Sequence, residues 1–220
     1  MTPDLATLVT AFVTLFVIVD PIGTAQIFVP LTSGMPPARR RSVAARASII
    51  GIAILALFGL FGEAVLGFVG ISMPAFRIAG GILLFLTALE MLFSRRTKRR
   101  EDQAAEDDGD DPSVFPLAIP LLAGPGSITT MILLTDRASG PVEVLLVHLV
   151  MALVIAVAFV LFLAAGPIER LLGPVGLNVA TRLLGMLLAA LSVQFVIDGF
   201  VGVGLAGPGP GVGGIAGGPR

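Results

Sequence analysis

Apolar residues fill six long stretches of the chain, near 5–31, 45–69, 74–93, 114–134, 143–165 and 182–203. Each runs for about 20 residues or more, enough to cross a hydrocarbon core of about 30 Å as an α-helix. The expected fold class is therefore all-α, a polytopic membrane protein with six transmembrane helices. The first stretch lacks a basic segment ahead of it and exceeds the apolar length of a secretory signal, so it is expected to remain in the mature protein.

Charge sets a direction. Arg39, Arg40, Arg41 and Arg46 lie between the first two stretches, and Arg95, Arg96, Lys98, Arg99 and Arg100 follow the third. Both clusters are expected in the cytoplasm, which puts both termini outside. The acidic run 101–111 reads as a solvated linker, and residues 204–220, nearly all Gly, Pro, Ala and Val, read as a flexible tail. Of the 220 residues 55% are hydrophobic and only 13% charged, where a soluble domain carries roughly a quarter. The net charge of -1 without a basic stripe gives nucleic acid no footprint. With no cysteine, one histidine and no Gly-x-Ser-x-Gly or Walker loop, the sequence offers no thiolate metal site, no usual hydrolase or NTPase signature and no cofactor motif. An enzyme is therefore not expected.

The chain also repeats itself. Glu63-x-x-Leu66-Gly67-x-Val69-Gly70-Ile71-Ser72 returns as Glu169-x-x-Leu172-Gly173-x-Val175-Gly176-Leu177-Asn178. Arg77-x-x-Gly80-x-x-Leu83-x-x-Leu86-Thr87 returns as Arg182-x-x-Gly185-x-x-Leu188-x-x-Leu191-Ser192, about 105 residues on. Three spans per copy is an odd number, so the second copy crosses the membrane in the opposite sense: a 3+3 inverted repeat, the usual build of a secondary transporter. The domains expected are 1–93 for the first repeat, 94–113 for a charged cytoplasmic linker, 114–203 for the second repeat and 204–220 for the tail. If the third and sixth spans pack side by side, Arg77 can pair with Asp198 at the outer end and Glu90 with Arg182 at the inner end.

Two interruptions fall at corresponding places, Asp20-Pro21-Ile22-Gly23 in the first span and Ala123-Gly124-Pro125-Gly126 in the fourth. Proline removes a helical hydrogen bond and glycine lets the chain leave helical geometry, so both spans are expected to be broken. Backbone freed in this way is tolerated at membrane depth only in protein or at a polar cavity. Half-helix N-termini attract a carboxylate and C-terminal carbonyls a cation, which suits a zwitterion. Asp20, the one carboxylate near mid-span, is a candidate for ligand, proton or cation duty, or for capping the second half-helix. The candidate binding residues are Asp20, Pro21, Gly23, Thr24, Gly124, Pro125, Gly126, Ser127 and Thr129, with Gln26 and Thr130 nearby. Gly80, Gly81 and Gly185 read as close helix packing, and His148 as interfacial packing without an assigned role.

Through these interruptions, through Pro74-Ala75-Phe76-Arg77-Ile78-Ala79-Gly80-Gly81, and through Ile119-Pro120-Leu121-Leu122-Ala123-Gly124-Pro125-Gly126-Ser127-Ile128-Thr129-Thr130, the chain resembles the MarC family of bacterial inner-membrane proteins over residues 5–203. The resemblance implies a six-span protein of the cytoplasmic membrane. Because some members are described as neutral amino acid transporters, it also implies a carrier of small neutral amino acids, driven by a proton or sodium gradient. The alternative is a membrane accessory or scaffold that transports nothing, and among partners a homo-oligomer is left open.

Overall fold

The computed structural model describes residues 5–93 and 111–205, and of residues 167–172 and 174 the backbone alone. The basic cluster 95–100, nearly all of the linker 94–113, the acidic run up to 110 and residues 206–220 of the tail lie outside the described residues. Among the described residues every regular element is helical: α1 (Leu5–Val19), α2 (Pro21–Leu31), α3 (Pro37–Val69), α4 (Met73–Leu92), α5 (Ser113–Leu122), α6 (Pro125–Asp136), and one long run that bends at Gly173 into α7 (Pro141–Gly166) and α8 (Val175–Gly202). Five of these stretches are long and apolar enough to cross a membrane, with α1 and α2 together counted as one. The pair α5 and α6, bent by 53° at their junction, makes a sixth if taken as one span.

The punctuation follows local chemistry. Helix α3 starts behind Pro36 with Pro37 in its first turn, and ends at Gly70, whose φ of 81° lets the Ile71 N–H reach back to the Leu66 carbonyl. Ser72 then caps α4 by accepting the Ala75 N–H. Helix α3 thus begins eight residues before the apolar stretch at 45 and runs for 33 residues. At 1.5 Å per residue it is about 50 Å long, so Arg39, Arg40, Arg41 and Arg46 ride on its first turns instead of in a loop. Arginine is a good helix former and the prolines supply the start, which hydropathy alone does not register.

α4 and α8 run antiparallel through glycine contacts along their length. A Cβ on Gly81 would sit 2.7 Å from both the Ser192 carbonyl and the Val196 side chain, one on Gly185 2.9 Å from Met91, and one on Gly199 2.5 Å from Ile78. This register puts Arg77 level with Asp198, as the side-by-side expectation requires, but the expected ion pair does not form. Arg77 pairs instead with Asp136 at the end of α6, at 2.5 Å, while Asp198 takes Arg137 and the Gln194 amide. Asp136, which ends α6, and Arg137, which follows it, are adjacent opposite charges that come between the two partners, each satisfying one. Charge neutralisation of Arg77→Gln and Asp136→Asn in a double-mutant cycle should show a coupling of about 1–3 kcal/mol in thermal stability in detergent, because both side chains are about four-fifths buried. Additive losses would mean the pair contributes nothing.

The fourth span is the centre of the packing. Ile132 fits where Gly62 of α3 has no side chain, Met131 fits at Gly59, Thr129 fits at Gly80 of α4, and Leu122 lies against Gly51. On the far side, Phe28 of α2 stacks on Phe162 of α7 with centroids 4.8 Å apart, in a cluster with Leu15, Val19, Ala123, Val154 and Ala158.

Candidate functional site

The first interruption is a single residue wide. The Asp20 N–H still bonds the Phe16 carbonyl at 3.0 Å and so completes α1, while its own carbonyl accepts the Thr24 N–H at 2.9 Å and so begins α2. Between these two roles the backbone turns into the left-handed region, with φ 52° and ψ 65°. Aspartate adopts this conformation more readily than most residues, since its short polar chain can bond locally. Here Oδ1 accepts the Gly23 N–H at 3.0 Å. Pro21 has no N–H, so the Val17 carbonyl loses its partner four residues on, and the Gly23 N–H that would serve Val19 is taken by the Asp20 carboxylate. Asp20 is 1% exposed. Gly23 is required by this carboxylate: a Cβ there would lie 2.1 Å from Asp20 Oδ2. The Thr24 hydroxyl turns back on the chain and donates to the Asp20 and Pro21 carbonyls.

The second interruption is wider. Phe115 and Ile119 each precede a proline, across a cis peptide bond, and are extended, at φ near -120° and ψ near 125°. The regular half-helix expected over 114–122 is therefore replaced by wide turns, in which the Ala123 N–H reaches the Ala118 carbonyl at 2.8 Å. Gly124 is extended, no side chain caps α6, and Pro125 has no N–H to give. The Gly126 and Ser127 N–H groups open α6 without intrahelical acceptors. One turn on, the Thr130 hydroxyl is fully buried and has no hydrogen-bond partner. Ser127 and Thr129 are buried beside it. A Cβ on Gly124 would stand 2.4 Å from the Pro120 carbonyl oxygen, so this glycine is needed by its own chain before any ligand is considered.

The two interruptions meet through Ile18. Its Cγ2, two residues before Asp20, comes within 3.4 Å of where a Cβ on Gly126 would be, and Leu84 of α4 reaches the same point from the other side at 2.9 Å. Neither residue stands out in the sequence. The signal for Leu84 is its place one turn after Gly80 on the buried face Gly80, Gly81, Leu84, Ala88, Met91. His148 shares the notch at Gly59 with Met131 of α6; its Nδ1 lies 2.7 Å from the Val144 carbonyl and its Nε2 is buried without a hydrogen-bond partner. Gln26, on α2, has a buried amide nitrogen without a partner. Among the described residues no group of three His, Cys, Asp or Glu side chains is placed to hold a metal ion. A single buried carboxylate next to freed carbonyls is suited to a monovalent cation, an ammonium group or a proton.

Residues 5–203 match the family described as MarC family integral membrane protein. Among curated relatives, a UPF0056 membrane protein of Archaeoglobus fulgidus is 40% identical over 86% of this chain and 90% of its own length. The UPF0056 membrane protein YvbG of Bacillus subtilis is 36% identical over 91% and 94%, and the UPF0056 inner membrane protein YhgN of Escherichia coli is 34% identical over 87% and 95%. No solved structure matches the chain.

Proposed function

The chain belongs to the MarC family of integral membrane proteins, and from that premise we propose that it is a secondary transporter of small neutral amino acids in the cytoplasmic membrane, driven by a proton or sodium gradient. The observation that carries this reading is the closeness of the two interruptions: the side chain of Ile18, two residues before Asp20 in the chain, packs over Gly126 at the open end of α6. A zwitterion between them sets its ammonium at the Asp20 carboxylate and the freed carbonyls ending α1, and its carboxylate at the Gly126 and Ser127 N–H groups. Magnitudes favour a role for the Asp20 charge. A helix end offers about 0.3–1 kcal/mol, up to about 2 when partly buried, whereas a charge at mid-membrane costs about 2.5–3.5 kcal/mol on insertion scales. Dipoles alone do not hold an ammonium there.

The inverted repeat is part of the same proposal. Met91 lies at Gly185 and Val196 lies at Gly81, and the displacement of about 105 residues carries one contact onto the other within a residue. Any antiparallel packing of α4 and α8 gives this exchange, a two-fold axis between them included, and in the proposal such an axis gives alternating access two halves to rock against each other. In this arrangement both termini are outside; a cytoplasm-dependent reporter fused to the C-terminus should be inactive, and an active one would sink the six-span topology.

Purified protein in liposomes tests the function. Labelled glycine, alanine or serine should accumulate above protein-free liposomes when a proton or sodium gradient is imposed, and the accumulation should collapse with the gradient. No gradient-dependent accumulation of any of the three would favour the accessory or scaffold reading instead.

A further inference from the structure

We infer that Leu84 and Ile18 form the size filter of this transporter, the pair of side chains that restricts its substrates to amino acids with no more than a small substituent on Cα. The inference rests on the proposed function and adds residues to it. Leu84 and Ile18 come from different helices, α4 and α1, and converge on Gly126, the first residue of α6 with an N–H to offer. Both are essentially fully buried and belong to one cluster with Val17, Ala88 and Leu133. Cδ2 of Leu84 would lie 2.9 Å from a Cβ on Gly126 and Cγ2 of Ile18 3.4 Å from it, so even one methyl group added at this point meets a wall.

The geometry of a bound zwitterion supplies the rest. In this proposal the carboxylate lies on the Gly126 and Ser127 N–H groups and the ammonium at Asp20, with the substituent on Cα set against the Ile18 and Leu84 methyl groups that close over Gly126. These walls are apolar and closely packed. They can shift for a hydrogen, a methyl or a hydroxymethyl group, but a branched chain requires them to leave. Gly80 fixes the distance of α4 from this point, since a Cβ there would lie 2.2 Å from the Thr129 Cγ2. Leu84, one turn along α4, is thereby held against α6.

Liposome uptake of glycine, alanine, valine and leucine, measured side by side for wild type, Leu84→Val and Leu84→Ala, tests this. One methylene in an apolar pocket is worth about 10- to 200-fold in selectivity, so the valine-to-glycine uptake ratio, taken within each variant, should rise about tenfold or more in Leu84→Ala and by less in Leu84→Val. Ile18→Val provides a milder opening from the other wall if Leu84→Ala does not fold, and should move the ratio in the same direction. If wild type takes up glycine and no variant changes the ratio, the filter is refuted and the transporter reading survives. If wild type takes up no amino acid, both fall together.

Discussion

Asp20→Asn is expected to abolish gradient-driven uptake while leaving the protein folded. The amide retains an oxygen at the position of Oδ1, so it can still accept the Gly23 N–H that the carboxylate now takes at 3.0 Å. Asparagine also tolerates the left-handed φ of 52° as well as aspartate does. The cap and the turn therefore persist, and thermal stability in detergent should change by less than about 1 kcal/mol. What disappears is the charge. A hydrogen bond to a charged group is worth about 1.5–3 kcal/mol, which at about 1.4 kcal/mol per decade is a loss of roughly 10- to 100-fold in substrate affinity, and gradient coupling through this residue stops altogether. Asp20→Ala is the contrasting variant. It removes cap and charge together and leaves a left-handed alanine, so it should lose about 1–3 kcal/mol of stability as well as activity. Wild-type uptake by Asp20→Asn would show that the carboxylate serves only as a cap.

Gly124→Ala should damage the protein more than any other single methyl group near the second interruption. The added carbon would stand 2.4 Å from the Pro120 carbonyl oxygen. That oxygen is backbone, and the segment carrying it is constrained by Pro116 and Pro120 with extended residues before each. Something must move. Either α6 rotates out of the notches formed by Gly59, Gly62 and Gly80, or the wide turns of α5 shift, and overpacking of this kind costs about 1–3 kcal/mol. A lowered melting temperature together with lost uptake is the expected result. Gly67→Ala is the control, because a Cβ at Gly67 meets nothing within 4 Å and lies in the helix α3. It should be neutral or stabilising by up to about 1 kcal/mol. Equal behaviour of the two variants would contradict the contact.

Much of this architecture is legible in the sequence because membrane depth leaves the backbone few choices. An apolar stretch at that depth is a helix, and a proline with glycine close by interrupts it, while the glycines inside α3 and α4 do not. Both interruptions thus fall where Asp20-Pro21 and Gly124-Pro125 put them. Where the reading departs from the structure, a third element decides. Arg77 and Asp198 are correctly set level on α4 and α8, yet the C-terminal turn of α6 brings Asp136 and Arg137 between them. A comparison of two helices has no place for that turn. The irregular course of α5 is written in Phe115-Pro116 and Ile119-Pro120, but the rule for a residue before proline gives only that the helix is disturbed, not that wide turns continue it. The meeting of Ile18 and Leu84 at Gly126 has no local signature, since an isoleucine and a leucine in an apolar helix look like any others. It depends on how closely α1 and α4 approach α6, which the absence of a Cβ at Gly80 and Gly126 permits.

Because the chain has no cysteine, a single thiol can report on the union of the two interruptions without background. Ser127→Cys places that thiol in the first turn of α6, and its labelling rate by a small membrane-permeant maleimide is measured with and without glycine, first alone and then combined with Asp20→Asn. If both interruptions form one site, glycine slows the labelling at position 127, and Asp20→Asn in the other helix removes that protection. Protection by glycine that is the same with either residue at position 20 would mean that the first interruption has no part in binding, and would contradict a site shared between the two.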